Sequence, residues 1–326
     1  MIFVWNNNNS NNISNNISNN NKCFKHNGPA IIAMGVFDGV HEGHQFLLQQ
    51  ASADALHYGL PLWVVTFTID PDEIFKPLES LNKLMSNEVR LKTLDATVAD
   101  NVLAIPFVKD VAALSPECFL DSILATAFPP KVIHVGTDFR FGACAAGDVK
   151  QMQDWGKKHD CLVKGHQLLQ DQGSPVTATR IRALLAAGDV QQAAVLLTRP
   201  YIVSAKVVRG RQAGTEIGFP TINLAIEPSF ATVGDGVYAG YADVNICGEA
   251  QTFRAAISVG VPQTFGDLPS TTEAFLLDFP SEVSLYGTNV QLRFVCRLRD
   301  MRRFDTLDEL AATIKSNVLW ISENLK

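Results

Sequence analysis

The chain has 326 residues, of which 47% are hydrophobic and 18% charged, and its formal net charge is −6. That length suits about two domains with real cores, and the acidic balance argues against a broadly basic, nucleic-acid-binding surface. No apolar run approaches 18 residues and no charged-then-apolar leader opens the chain, so neither a spanning helix nor a signal peptide is expected. Six cysteines (Cys23, Cys118, Cys144, Cys161, Cys247 and Cys296) form no CxxC pair. They read as reduced, mostly buried thiols of a cytoplasmic protein, and no Cys or His cluster has zinc-ligand spacing.

In chain order, residues 6–21 are nearly all Asn and Ser, too polar to offset their ordering entropy, and residues 1–28 are expected to be a disordered tail. Ala30–Val36 is a continuous apolar run, the pattern of a buried parallel strand. After a Gly-rich turn comes a helical pattern with Leu47, Ala51 and Ala55 on one face and Leu48 and Leu56 beside it. Leu62–Phe67, Val102–Phe107 and Lys131–Gly136 read as further strands, and Ser115-Pro116 as a helix start with Ser at the cap. The alternation implies a doubly wound α/β domain over residues 29–199. Its last pieces are a helical pair, Thr179–Leu185 and Asp189–Leu197, broken at Gly188 and ended by Arg199-Pro200. Residues 200–326 change texture, with short β-rich runs at Val203–Val208, Gly236–Val244, Phe253–Val259, Ala274–Phe279 and Val290–Val295. Gly, Pro and Asp between them suggest a small β-barrel. A closing helix carries a capping box (Thr306, Glu309) and an apolar stripe of Leu307, Leu310, Ile314 and Val318.

The strongest chemical signal is the stretch Gly35 to Gln45, GVFDGVHEGHQ, between a strand and a helix. Ligands of open α/β sheets bind beyond the carboxyl ends of the strands, and a helix N-terminus favours anions. Alone, His41 and His44 suit two surface histidines or two metal ligands as well as a phosphate site. After a buried strand, with Gly39 and Gly43 letting a phosphate approach the backbone, the phosphate site is favoured. The stretch resembles the HxGH signature of the nucleotidyltransferases and, over its whole length, the bacterial bifunctional riboflavin kinase/FMN adenylyltransferase (FAD synthetase) family. The resemblance implies that His41 and His44 are catalytic, stabilising the reacting phosphorus and the departing pyrophosphate, and that Gly35, Phe37, Asp38, Gly39 and Gly43 bind nucleotide.

Other stretches carry the same resemblance. Gly136 to Gly142 is similar to the family's GxDFRFG segment, which implies that Asp138, Phe139, Arg140 and Phe141 bind flavin; core packing is the alternative for the two phenylalanines. Thr177 to Arg182 resembles SSTxIR, implying that Thr179 and Arg182 bind nucleotide, with Ala178 where the family has serine. Asp70 stands where a histidine usually precedes the proline, and would bring negative charge towards a flavin phosphate. Gly218 to Leu224 resembles the riboflavin kinase motif GFPTAN. By that resemblance Thr221 and Asn223 hold Mg²⁺ and the nucleotide phosphates, and hard oxygen donors suit that ion; taken alone, the segment reads better as turn chemistry. Glu273, in a stretch similar to VExHLLDF, is the implied general base. Gly236 to Ala239, Ser258 to Gly260 with Thr264 and Phe265, and Leu285 to Gly287 follow in family order. Gly210, Gly214 and Gly218 fit the family's phosphate loop as nucleotide-binding glycines, but Ala213 and Thr215 replace its arginine pair.

Together these stretches imply ATP-dependent phosphorylation of riboflavin to FMN and adenylylation of FMN to FAD. The implied cofactor is Mg²⁺, the substrates are ATP, riboflavin and FMN, and neither a nucleic-acid nor a membrane partner is expected. Two alternatives remain at this point: an adenylyltransferase whose barrel only binds flavin or regulates, and a flavin sensor without catalysis.

Overall fold

A computed structural model describes residues 1–5, 25–210, 218–261, 271–280 and 282–326. The chain divides into two compact units, 1–78 with 86–177 and 79–85 with 178–326.

The first unit is built on a six-stranded, all-parallel sheet in the order β1-β4-β3-β2-β5-β6. The strands are β1 (Ile2–Val4), β2 (Ala30–Met34), β3 (Leu62–Phe67), β4 (Asn101–Ile105), β5 (Pro130–Gly136) and β6 (Leu162–His166). Every residue of β2 and β3 is buried, which explains their unbroken apolar sequence: both faces are covered and period-2 alternation is lost. The helix Glu42–Tyr58 packs on β2 and β5 through Leu47, Leu48, Ala51 and Ala55. Leu56, expected beside that face, is 83% exposed.

The central strand β2 feeds β3 and then β4 to one side, whereas β5 and β6 continue on the other. The strand order therefore reverses between β2 and β5. In such sheets the crevice outside the carboxyl ends at that reversal is the ligand site. The turn after β2 and the turn after β5 are the GVFDGVHEGHQ and GTDFRFG segments.

The expected disordered tail needs correcting at both ends. Ile2–Val4 pairs in parallel with Val102–Ala104, and Trp5 is 7% exposed within the sheet's core cluster. The His26 amide donates to Ala127 O. Composition misled because the apolar opening MIFVW was averaged into the Asn run behind it. The Asn-rich stretch at 6–21 lies outside the described residues.

The second unit contains a closed antiparallel barrel in the order β10-β13-β12-β11-β14-β9. Its strands are β9 (Tyr201–Val208), β10 (Ile222–Ala225), β11 (Gly236–Ile246), β12 (Glu249–Gly260), β13 (Thr271–Leu276) and β14 (Asn289–Arg299). A two-stranded hairpin, β7 (Gln170–Asp171) with β8 (Ser174–Pro175), precedes it in the first unit. Burial alternates strictly along β9, with Tyr201, Val203, Ala205 and Val207 inside. The helices Ala178–Ala186 and Val190–Leu197 belong to this second unit, the latter capped by Asp189 accepting from Gln192 N. So does the segment 79–85, where the Lys83 amide donates to Ser229 O and Lys83 O accepts from the Ala231 amide.

The closing helix is Leu307–Asn324. Thr306 accepts from Glu309 N as expected, but Glu309 turns its carboxylate to Arg302 at 3.3 Å, so only half of the capping box forms. The cysteine expectation is also corrected: Cys118, Cys144 and Cys247 are exposed, and only Cys161 is buried among the described cysteines. Burial pushes the Cys161 thiol up to about 12.

Candidate active sites

In the first unit, Phe37, Gly39 and Val40 all adopt positive φ (61°, 77° and 40°). A β-branched residue in that region is strained, and such strain persists only where the surroundings over-determine the turn. The turn delivers two imidazoles. His41 and His44 stack with ring centroids 3.6 Å apart and planes inclined by 18°. Gly43 makes the stack possible, because a Cβ there would meet the His41 ring at 3.2 Å and Val176 O at 3.1 Å. Phe37 braces His44 edge-on at 5.1 Å; its own ring is buried, so only its backbone can serve a ligand.

His44 Nδ1 is buried without a hydrogen-bond partner among the described residues. Burial, then His41, then the Arg90 cation hold the His44 pKa well below the ordinary histidine value. His44 is therefore neutral near pH 7, and donates from one nitrogen only. Arg90, on the helix Asn87–Asp95, is the residue that sequence reasoning missed. It is 2% exposed, and its guanidinium spans the carboxyl ends of β2 and β3. Asp38, Asp70 and Glu73 lie close enough to favour its charge. The negative charge that Asp70 adds thus faces a buried cation, and its carboxylate also accepts from the Asp72 amide at 2.9 Å.

Beyond β5, Asp138 and Arg140 are exposed and Phe139 is half-buried. Phe139 stacks on Phe141 at 6.0 Å, and Arg140 lies 3.7 Å from Asp148, which caps the helix Val149–Lys158. Phe141 is 5% exposed, packed against Phe119 and paired with Gly147 through both backbone hydrogen bonds. Its ring is core. The packing alternative describes its surroundings, and it reaches Phe139 only in part.

In the second unit, β10 pairs with β13 so that Asn223 stands directly opposite Glu273. Thr221 Oγ1 donates to Glu273 Oε2 at 3.1 Å. Glu273, 50 or more residues further along the chain, thus meets Thr221 and Asn223; Asn223 and Glu273 line a cavity of about 700 Å³ together with Arg209, Gly210, Glu227 and Thr272, among others. A Cβ on Gly210 would stand 2.6 Å from Asn223 Oδ1 and nearer still to the rest of that amide, so only glycine leaves room for Asn223. The Arg209 guanidinium lies 5.9 Å from the Tyr286 ring. Gly218, which opens the motif, has φ of 80° in a turn. Gly214, the altered positions 213 and 215, and Thr264 with Phe265 lie outside the described residues. Thr179 is exposed in the first turn of its helix, and Arg182 donates through Nε to Asn82 O at 2.6 Å, both within this second unit.

The FAD synthetase family model matches residues 23–180, and the riboflavin kinase model matches residues 197–325. The bifunctional riboflavin kinase/FMN adenylyltransferase of Escherichia coli K12 is 32% identical over 293 residues, covering 90% of this chain and 92% of its own. The chain belongs to the bifunctional riboflavin kinase/FMN adenylyltransferase family. Relatives of the same name from Pseudomonas fluorescens (31%, 90% and 92% of the two chains) and Bacillus subtilis (30%, 88% and 90%) agree. A crystal structure described as a macrolide-efflux protein from Streptococcus pneumoniae is 28% identical, with a TM-score of 0.78 over 93% of this chain and 96% of that one. That likeness is one of fold; among the described residues no helix is long and apolar enough to cross a membrane. Both modules of the family are present, which favours the bifunctional alternative over an adenylyltransferase with a silent barrel.

Of the expected site residues, the fold brings His41 to His44 and Thr221 and Asn223 to Glu273. Both groupings join residues that the motifs had already singled out. Arg90 had no such signal: its helix shows an exposed Glu88–Lys92 pair of the kind common on any surface helix.

Proposed function

We propose that the barrel phosphorylates riboflavin to FMN and that the parallel-sheet unit adenylylates FMN to FAD, releasing pyrophosphate. The observation that carries this is the meeting of Glu273, in the cavity lining, with Asn223 and Thr221. A carboxylate opposite an amide and bonded to a hydroxyl is a ready proton acceptor for an alcohol nucleophile. Glu273 would take the proton of the ribityl hydroxyl as its oxygen attacks the γ-phosphorus of ATP, and ADP would leave. The donors here are hydroxyl, amide and carboxylate oxygens, which fit Mg²⁺. When bound, Mg²⁺ would offset negative charge on the ATP phosphates; Thr221 and Asn223 are the residues to hold it.

In the other unit the nucleophile is an anionic FMN phosphate oxygen, which needs no base. It would attack the α-phosphorus, and the bond to pyrophosphate would break. His41 and His44 would donate hydrogen bonds to the phosphate oxygens as charge builds, aided by the N-terminus of their helix. Asp138, Phe139 and Arg140 are proposed flavin contacts.

The test is to incubate the pure protein with riboflavin, ATP and Mg²⁺ and resolve the flavins by chromatography. FAD from riboflavin is the expected result. FAD from added FMN alone would leave an adenylyltransferase with a silent barrel, and binding without turnover would leave a sensor.

A further inference from the structure

Arg90 is the most deeply buried charge in the first unit, and no part of the chemistry above uses it directly. Nη1 donates to Val36 O at 2.7 Å and to Thr66 Oγ1 at 2.8 Å; Nη2 donates to Phe67 O at 2.8 Å and to Asn87 Oδ1 at 3.3 Å. Thr66 Oγ1 in turn donates to Val36 O at 3.2 Å. Val36 is the residue before the strained Phe37–Val40 turn, and Phe67 is the last residue of β3. One side chain therefore closes the ends of two neighbouring strands where the turn bearing His41 and His44 begins.

A buried guanidinium is expensive unless all its donors are met, and here four acceptors meet it in a planar fork that lysine cannot reproduce. Asp38, Asp70 and Glu73 balance its charge. On the other side its charge, after burial and the stacked His41, opposes a proton on His44.

We propose that Arg90 is the positioning residue of adenylyl transfer: it holds the strained turn in register and so sets where the His41–His44 stack stands. This rests on the assignment of FMN adenylylation to the parallel-sheet unit. Arg90 touches no substrate in this scheme. Its fork sets where the imidazoles stand, and its charge opposes a proton on His44.

Two variants separate geometry from charge. R90K keeps the cation and loses the fork; R90Q loses the cation. For R90K, kcat of FAD formation from FMN should fall about 10²-fold, the scale of an ångström-sized misplacement, with a smaller change in KM for ATP. Its acid limb should stay where the wild type has it. For R90Q the rate should fall at least as far, and the acid limb should also move to higher pH, because removing a positive neighbour lets His44 take a proton more readily. Riboflavin phosphorylation by the barrel, and the melting of the chain, serve as folding controls. If R90Q does not fold, R90K together with T66V, which removes one acceptor of the fork, carries the test through kcat. Folded variants with wild-type FAD formation, or an R90K that raises KM for ATP while leaving kcat unchanged, would overturn the proposal. H41A run beside them distinguishes failures: if it too retains FAD formation, the site assignment itself is wrong.

Discussion

Replacing Gly210 with alanine adds one methyl group at the edge of the barrel cavity. Gly210 does not have positive φ, so an L-residue adopts its backbone without strain. The perturbation is steric alone. The new Cβ would lie 2.6 Å from Asn223 Oδ1 and closer to the amide carbon and nitrogen, whereas carbon atoms rest about 3.5–4.0 Å apart. Asn223 must therefore retreat by roughly 1 Å, away from its place opposite Glu273. A displacement of that size is worth about 10²-fold in rate, or about 2.7 kcal/mol of barrier. Riboflavin, ATP and Mg²⁺ at saturation, with FMN and FAD quantified by chromatography, measure the kinase step; FMN with ATP measures the other step on the same preparation. Kinase turnover should fall about 100-fold while FAD formation from FMN stays within about twofold. A G210A protein with kinase turnover within a factor of about three of wild type would refute the claim that Asn223 must occupy that position.

Other outcomes follow from the same geometry. Glu273→Gln keeps the shape and the Thr221 contact but cannot accept the proton, so riboflavin phosphorylation should drop about 10²–10⁴-fold with FAD formation from FMN spared, measured by the same chromatography. His41→Ala should do the reverse, lowering FAD formation at least about 10²-fold and sparing FMN formation. Stability should depend on pH through His134, whose Nε2 lies 3.1 Å from Asp54 and whose Nδ1 lies 2.9 Å from His166. Burial and His166 push its pKa down from 6.5 to about 4. Between those values the unfolded chain binds the proton and the folded one does not, so stability is full above pH 6.5 and falls as the pH drops to about 4, by about 3 kcal/mol. Denaturant melts of wild type and His134→Asn at pH 7 and pH 4.5 check this; the variant should show a shallower loss.

Much of both units was legible because their signals are local. The runs Ala30–Val36 and Leu62–Phe67 are buried on both faces, and β9 alternates on one face, so hydrophobicity alone marks them. Strands β6 and β10 were missed for opposite reasons. β6 is a sheet edge with Leu162 exposed and Lys164, Gly165 and His166 within it, leaving little apolar period to read. β10 was hidden because the Pro220-Thr221-x-Asn223 pattern leading into it is also good turn chemistry. At the sites, His41 and His44 are close in sequence and their pairing could be inferred. That Glu273 lies across from Asn223 rested on resemblance until the register was seen.

The order of residues along this chain was enough to establish an α/β unit followed by a barrel, because those signals depend on neighbours within a turn or two; the roles of His41, His44, Glu273 and the Thr221–Asn223 segment came from family resemblance. Tertiary structure decided what depends on distant partners: that the opening MIFVW joins the sheet edge, that Phe141 is core, and that Arg90 grips Val36, Thr66 and Phe67. A buried cation is stable only where acceptors from separate segments converge on it. Such convergence leaves no periodic or local trace in the sequence of the helix that bears it.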